Sequence, residues 1–515
     1  PMQRATDKTG KVYLVGAGPG AVELLTLRAV HCLQSADVIL YDYLANPQAL
    51  EFAAPGATLI CLGSHRRHPD GAGKIWKQQQ INDRLVAEAQ AGKTVVRLKG
   101  GDPAVFARTA EEVDALMTAD IEFEIVPGVT AALAAGSYAG IPVTHRDLAS
   151  AVALVTGHER DGKEASSIDW AALAKFPGTL VIYMGVTTAQ HWTTALVEAG
   201  KPADTPAAIV RHCSRPDQET IRCTLAEVAD YLTGENKIRP PVIVIVGTVT
   251  ELAPDWNWFQ KRPLFGTTVL VTRPIHQAGS LRDTLTELGA EVLVQPAIEI
   301  SDPPDWYPVD NAIAHIESFN WIVFSSANGV EYFLQRLLQR GRDLRALGGV
   351  KIAAVGSKTA EALEEFHLHC DCVPGEFRAE ALADALKGES LNDHTTDQRF
   401  LLIRASRGRE ILAEELTDAG ADVEQIVVYE SSDVVEADEE IHARQAAGEI
   451  DWVTVTSSAI ARSLANMFGD DLHNAKLVSI SPVTTATLKE LGHPPDAEAR
   501  KYTMDGVVAA ILANS

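Results

Sequence analysis

Residues 11–20 read Lys-Val-Tyr-Leu-Val-Gly-Ala-Gly-Pro-Gly. An apolar run of strand length stops at a glycine cluster, which marks a buried strand entering a tight turn. With Ala21 the cluster fits G-x-G-x-x-G/A, and the next strand-like run ends at Asp42, an acid that could hold a ribose. Alone, the pattern also fits a plain strand-to-helix turn, and Pro19 removes an N–H that a phosphate cradle would use.

Working outward, similar runs recur with helical patterns between them: DVILY, TLICL, TVVRL, FEIV, AVALV, TLVIYM, AAIV and VIVIV. Continuous apolar runs of this length predict sheets buried on both faces, and the alternation predicts α/β layers with mainly parallel strands. Residues 251–266, ELAPDWNWFQKRPLFG, break the rhythm. They predict a linker over 253–266 whose aromatics dock onto a neighbouring domain. A second series starts at Thr267 with TTVLVTRP, EVLVQP, WIVFSS, KIAAVG, FLLIRA, VEQIVVYE, DWVTVTSS and KLVSIS. The Asp- and Pro-rich stretch Ser301–Pro308 and the acidic stretch Glu430–Glu440 read as paired crossings between lobes. One α/β unit is then inserted into another, with lobe one at about 267–300 plus 433–515 and lobe two at about 303–429.

The chain of 515 residues has 45 Lys and Arg against 69 Asp and Glu, a net charge of −24. So acidic a surface repels nucleic acid and anionic membranes, but a polyanionic ligand remains possible where basic residues gather. Six scattered cysteines make neither a disulfide framework nor a zinc site, so reduced thiols and no metal are expected. The polar opening PMQRATDKTG has no signal-peptide pattern, and the longest apolar run, Val242–Val246, is far too short to span a membrane. These features point to a cytoplasmic protein.

Ligands of α/β sheets bind at the carboxyl ends of strands, and four such ends in the first half carry glycine. After GAGPG come Gly100-Gly101-Asp102-Pro103 leading to Ala104-Val105-Phe106, then Pro127-Gly128-Val129-Thr130-Ala131, then Met184-Gly185. None is a Walker loop. The motifs GAGPG, YDYL, RLKGGDPAVF, VPGVTAA and VIYMG, in this order and spacing, resemble the tetrapyrrole methylases, and among them uroporphyrinogen-III C-methyltransferase.

The resemblance covers about 10–252. It implies two α/β lobes, about 10–122 and 123–252, with S-adenosyl-L-methionine between them as methyl donor and S-adenosyl-L-homocysteine as product. It also implies a homodimer through this half. Carried over by position, Pro19 lies beside the donor. Gly100, Gly101, Asp102 and Val105 line its methionine end. Thr130 and Ala131 sit near the sulfonium, Met184 sits against the adenosine, and Ala208 and Cys213 close the adenine pocket. A porphyrinogen pyrrole carbon is already electron-rich, so the site must align it with the methyl group and then remove a proton. Asp42 is the base that the resemblance implies; read by itself, it is a strand-end acid capping a loop. Ser64 stands where the family motif has a lysine, beside His65, Arg66, Arg67, His68 and Lys74. Those basic residues are either a solvated loop or a substrate-carboxylate site.

The second half shows no metal cluster, phosphate loop or nucleophile elbow. Its strands end in hydroxyls, amides and a few cations: Thr272-Arg273-Pro274, Ser325-Ser326-Ala327-Asn328, Gly356-Ser357-Lys358-Thr359, Arg404-Ala405-Ser406-Arg407, Thr456-Ser457-Ser458 and Ser481-Pro482-Val483-Thr484. Each alone reads as a helix cap. Together they predict a cleft that holds a multiply charged ligand mainly through main chain. The series VLVTRP, VFSSANGV, AVGSKTAEAL, VVYES, VTVTSS and TMDGVVAAI resembles uroporphyrinogen-III synthase over 267–515. The fold class implied is thus α/β throughout, a two-lobed methylase followed by a two-lobed synthase with a discontinuous first lobe. The reaction implied is cofactor-free closure of hydroxymethylbilane with inversion of its last ring, with Tyr429 assisting the leaving hydroxyl and Thr359 and Thr484 at the cleft.

The expectation is a bifunctional enzyme that makes uroporphyrinogen III and methylates it twice to precorrin-2. The alternatives are an NAD-dependent oxidoreductase using GAGPGA and Asp42, or one half kept only as a binding or scaffold module.

Overall fold

Buried strands with apolar side chains on both faces organise the molecule. The computed structural model describes the chain except residues 1–9, 64–75, 159–166, 236, 253–255, 376–378, 391–397 and 408–409. The chain divides into two compact units, Pro1–Thr267 with Thr286–Glu291, and Thr268–Leu285 with Val292–Ser515.

The first unit holds two five-stranded sheets. One runs, edge to edge, Thr58–Cys61, Val38–Tyr41, Val95–Lys99, Lys11–Gly16, Glu122–Val126, and every pairing is parallel. The other runs Val152–Thr156, Thr179–Tyr183, Val242–Val246, Pro206–Arg211, Glu219–Thr224. Here the mainly parallel expectation is corrected. Only the first pairing is parallel, and the other three are antiparallel. The central strand VIVIV shows why the sequence could not tell. Val242, Val244 and Val246 pack into one core and Ile243 and Ile245 into the opposite one, so the run is apolar whichever way it points.

Residues after 255 dock within this unit. Trp258 Nε1 donates to the Ser137 carbonyl at 3.0 Å, and Phe259 meets the Tyr138 ring at 4.7 Å with the Arg262 guanidinium 3.9 Å above it.

The second unit also holds two sheets. One runs Glu291–Val294, Thr268–Val271, Trp452–Val455, Lys476–Ser479, Ala497–Glu498, so strands far apart in sequence share it. The other runs Ile298–Ser301, Asp422–Asp433, Arg399–Ala405, Trp321–Phe324, Lys351–Ala354. Strand Trp321–Phe324 is buried on both sides: Trp321 and Val323 face Leu382 and Leu412, while Ile322 and Phe324 face Phe333 and Leu337. The crossing between sheets is an antiparallel ladder from Ile298↔Asp433 to Ser301↔Glu430. It therefore precedes most of the Asp- and Pro-rich stretch expected to form it; beyond that ladder the chain turns into helix Tyr307–Ala314.

Candidate functional site

All strands of the first sheet point one way, so the loops after Gly16, Tyr41, Lys99 and Val126 gather at one edge. Backbone joins them. Gly18 and Gly101 exchange N–H···O bonds of 3.2 and 2.7 Å. A Cβ on Gly16 would stand 2.6 Å from the Gly128 Cα, and one on Gly128 2.8 Å from the Gly16 Cα, so only glycine allows this approach. Asp102 ties the third and fourth loops together. Its Oδ1 accepts from the Ala104 N–H at 2.6 Å and its Oδ2 from the Gly128 N–H at 3.0 Å. Asp102→Ala removes both acceptors, each worth about 1.5–3 kcal/mol to a charged group. Affinity for the methyl donor that the resemblance implies, measured by titration calorimetry, should fall at least about tenfold, while the ring closure implied for the other half stays unchanged.

The second sheet completes the surround. Thr130 stands at the N-cap of helix Ala131–Tyr138, yet its hydroxyl does not cap it. The Tyr183 hydroxyl does so instead, accepting from the Ala132 N–H at 2.9 Å and lying 2.6 Å from Thr130 Oγ1. Burial pushes the Tyr183 phenol up, and the Phe106 ring lies 5.1 Å from it. Met184 follows Tyr183 and is 49% exposed. Behind it, Trp192 Nε1 donates to the Gly185 carbonyl at 2.9 Å. The Ala21 N–H donates to Ser214 Oγ at 2.9 Å, which joins the turn at 212–214 to the first glycine loop.

Ala208 and Cys213 are both buried in the apolar cluster that includes Ala132 and Ala135. They belong to the core beside these loops. Burial pushes the Cys213 thiol up to about 12. Iodoacetamide at neutral pH should therefore alkylate exposed Cys61 and leave Cys213 untouched, as peptide mass mapping will read.

Backbone strain marks the same place. Seven non-glycine residues among those described have positive φ, and five of them, Phe106, Arg108, Met184, His212 and Ser214, lie in these loops. Strain of this kind persists where surrounding structure holds it and concentrates at ligand sites.

Asp42 is not a lone acid. Its Oδ1 accepts from Arg97 Nη2 at 2.6 Å, Arg97 Nε donates to Glu112 Oε1 at 3.1 Å, and Lys99 Nζ to Glu112 Oε2 at 2.5 Å. Arg97, Lys99 and Glu112 are 4, 2 and 0% exposed. Burial and the neighbouring guanidinium push the Lys99 ammonium down, and Glu112 offsets part of this. Sequence reading missed this chain of charges. The signal was there in Arg97 and Lys99, two cations at alternate positions of an otherwise apolar central strand. The basic run His65–His68, with Ser64 and Lys74, lies outside the described residues.

In the second unit the strand-end hydroxyls do cap helices. Ser326, Ser457 and Ser481 each accept from a backbone N–H in the first turn of the following helix. Thr359 and Thr484 are both buried in the first turns of their helices, and Thr484 Oγ1 lies 3.3 Å from Ser481 Oγ. Tyr429 is 6% exposed, with its hydroxyl 3.1 Å from Ser326 Oγ. Burial pushes its phenol up, and the Ser326 and Asn328 side chains pull part of that back. From Asn328 a hydrogen-bonded series crosses to the other sheet. Gln277 Nε2 donates to Asn328 Oδ1 at 2.6 Å, and Arg273 Nη2 donates to Gln277 Oε1 at 2.9 Å. Nothing in the sequence spacing announces this series, because its members lie on different elements.

Comparison with known proteins bears on both halves. A family model described as Tetrapyrrole (Corrin/Porphyrin) Methylases matches residues 11–229, and one described as Uroporphyrinogen-III synthase HemD matches residues 279–509. The chain is 34% identical over 501 residues to the porphyrin biosynthesis protein HemD of Ruminiclostridium josui, covering 97% of this chain and 95% of that one. It is 37% identical over 359 residues to the uroporphyrinogen-III C-methyltransferase of Bacillus subtilis, covering 70% of this chain and 72% of that one. It is 47% identical over 243 residues to the S-adenosyl-L-methionine-dependent uroporphyrinogen III methyltransferase of Methanosarcina barkeri, covering 47% of this chain and 93% of that one. Matched along nearly its whole length to a porphyrin biosynthesis protein, and by a different family model in each half, the chain belongs to the tetrapyrrole biosynthesis proteins that fuse a tetrapyrrole methylase to a uroporphyrinogen-III synthase.

Proposed function

We propose that the C-terminal half closes hydroxymethylbilane to uroporphyrinogen III with inversion of the last ring, and that the N-terminal half methylates this product twice to precorrin-2. The observation that carries the reading is the succession of the two families in one chain, since the product of the second half is the substrate of the first. The glycine loops fit the methyl donor S-adenosyl-L-methionine. They leave main chain free of side chains at one edge, and they are braced by Asp102, Tyr183 and Trp192. When bound, the donor supplies an electrophilic methyl group.

This chain's residues do the rest. Gly100, Gly101, Asp102 and Val105 hold the methionine end with Pro19 beside it, Thr130 and Ala131 lie at the sulfonium, and Met184 bounds the adenosine, with Ala208 and Cys213 supporting that pocket from the core. Asp42 takes the proton from the methylated ring carbon, and Arg97 fixes its carboxylate through Oδ1. In the other half Tyr429 donates to the departing hydroxyl, and Thr359 and Thr484 position the chain ends.

The strand order argues against dinucleotide binding. Val95–Lys99 lies between Lys11–Gly16 and Val38–Tyr41, so Asp42 does not stand on the strand next to the glycine turn as a ribose-binding acid would. The turn also leads into a short 3-10 segment, Val22–Leu24, before the helix Leu27–Gln34. No helix among the described residues is long and apolar enough to cross a membrane. We place the protein in the cytoplasm as a homodimer joined through its methyltransferase half.

Incubation with hydroxymethylbilane alone should yield uroporphyrinogen III, and addition of S-adenosyl-L-methionine should convert it to a product heavier by two methyl groups. Absorbance and mass read both. Ring closure without methylation would leave the first half as a binding module and overturn the reading for it.

A further inference from the structure

A cavity of about 680 Å³ opens in the second unit between the ends of its two sheets, lined among others by Arg273, Lys358, Thr456, Ser457, Ser481 and Tyr502. No Asp or Glu among the described residues lines it, in a chain of net charge −24. A smaller cavity of about 260 Å³ in the same unit, by contrast, is lined by Asp302 and Glu331. Four helices of eight residues or more, Ser357–Glu365, Ser458–Phe468, Pro482–Glu490 and Met504–Leu512, begin at or beside lining residues. Their amino ends add positive potential to the two cations.

Neither cation has a hydrogen-bonded carboxylate partner among the described residues. Among the described residues the Arg273 guanidinium donates to neutral acceptors, Gln277 Oε1 at 2.9 Å and Met504 Sδ at 2.9 Å. Its Nε is buried with no hydrogen-bond partner among the described residues. Lys358 is exposed and has no hydrogen bond or ion pair among the described residues; Glu361, one turn along the same helix, acts on it only at longer range. A buried guanidinium nitrogen without an acceptor is costly, and an incoming carboxylate relieves that cost.

We propose that Arg273 and Lys358, carried by different sheets, form a carboxylate clamp that takes an acetate or propionate side chain of the linear tetrapyrrole and draws the two lobes together on it. The proposal rests on the ring-closing reading of this half. It adds two charged side chains to the main-chain groups expected to hold the ligand. Arg273 also heads the series through Gln277 and Asn328 toward Tyr429, so a ring anchored at the clamp is registered against the phenol.

The test compares the full chain with Lys358→Met, Arg273→Met and Arg273→Lys. Ring-closure KM should rise about tenfold in each Met variant, since one charge-assisted hydrogen bond is lost, and kcat should stay within about threefold. Arg273→Lys should recover most of the loss, and the increase of KM with salt should flatten in both Met variants. Lys358 is exposed and unpartnered, so its variant folds; an unchanged KM and salt dependence in Lys358→Met overturns the clamp. Equilibrium binding of uroporphyrin III, followed by its fluorescence, runs alongside. If the wild-type chain closes no ring, the ring-closing reading fails, and the binding ratio between wild type and Lys358→Met still decides the clamp.

Discussion

Tyr429→Phe is expected to lower ring-closing turnover by about 10²–10³, because one hydrogen bond to a developing charge is worth about 2–4 kcal/mol. The substitution keeps the ring and its contact with Tyr332, whose centroid lies 5.6 Å away. Ser326 loses one neighbour but still accepts from the Gly329 N–H at 3.0 Å, so the fold should lose only about 1 kcal/mol or less. Because burial raises the phenol pKa, Tyr429 stays protonated and able to donate well above neutral pH. Without its donor, the bilane closes by itself without inversion, and the symmetric type-I isomer accumulates. Isomer analysis after oxidation to porphyrin measures this. Type-III product at near wild-type rate would remove Tyr429 from the mechanism.

Gly128→Ala should be the most damaging small change in the other half. Its methyl group would meet the Gly101 carbonyl oxygen and stand 2.8 Å from the Gly16 Cα, both backbone. No side chain can swing aside, so the loops must part. Parting breaks the Asp102 bond to the Gly128 N–H and strains the paired Gly18 and Gly101. Overpacking of this kind costs about 1–3 kcal/mol in stability, a fall of several degrees in Tm. Donor binding, which we propose to use the same three loops, should weaken about a hundredfold or more by titration calorimetry. Ring closure should persist, because its residues belong to the other compact unit of the chain. Wild-type donor affinity in Gly128→Ala would show that the loop junction does not shape the donor site.

The α/β layering was legible because strands such as Trp321–Phe324 are apolar at every position. Strand Glu219–Thr224 escaped notice because it lies at a sheet edge and alternates half-buried Ile221 and Cys223 with polar residues. Direction was not encoded either, as the antiparallel Val242–Val246 shows. In the site, the glycine loops announced themselves. The left-handed residues did not, since Phe106, Met184 and His212 carry no turn signature and are held by their surroundings. The charge chain from Asp42 to Lys99 and the series from Arg273 to Asn328 join groups from separate elements, a tertiary fact that local patterns do not contain.

The discontinuous sheet of the second unit has a consequence for how the chain is made. Thr268–Val271, buried at all four positions, pairs with Trp452–Val455. The ribosome delivers the first of these strands long before the second. In the interval the inserted sheet, complete at Asp433, can already close on itself. The early strand meanwhile waits as an uncovered hydrophobic edge in the nascent chain, open to pairing with the wrong neighbour. Arrival of Trp452–Val455 ends that wait. A nonsense codon that stops synthesis shortly after Asp433 should thus leave one lobe folded beside one that aggregates.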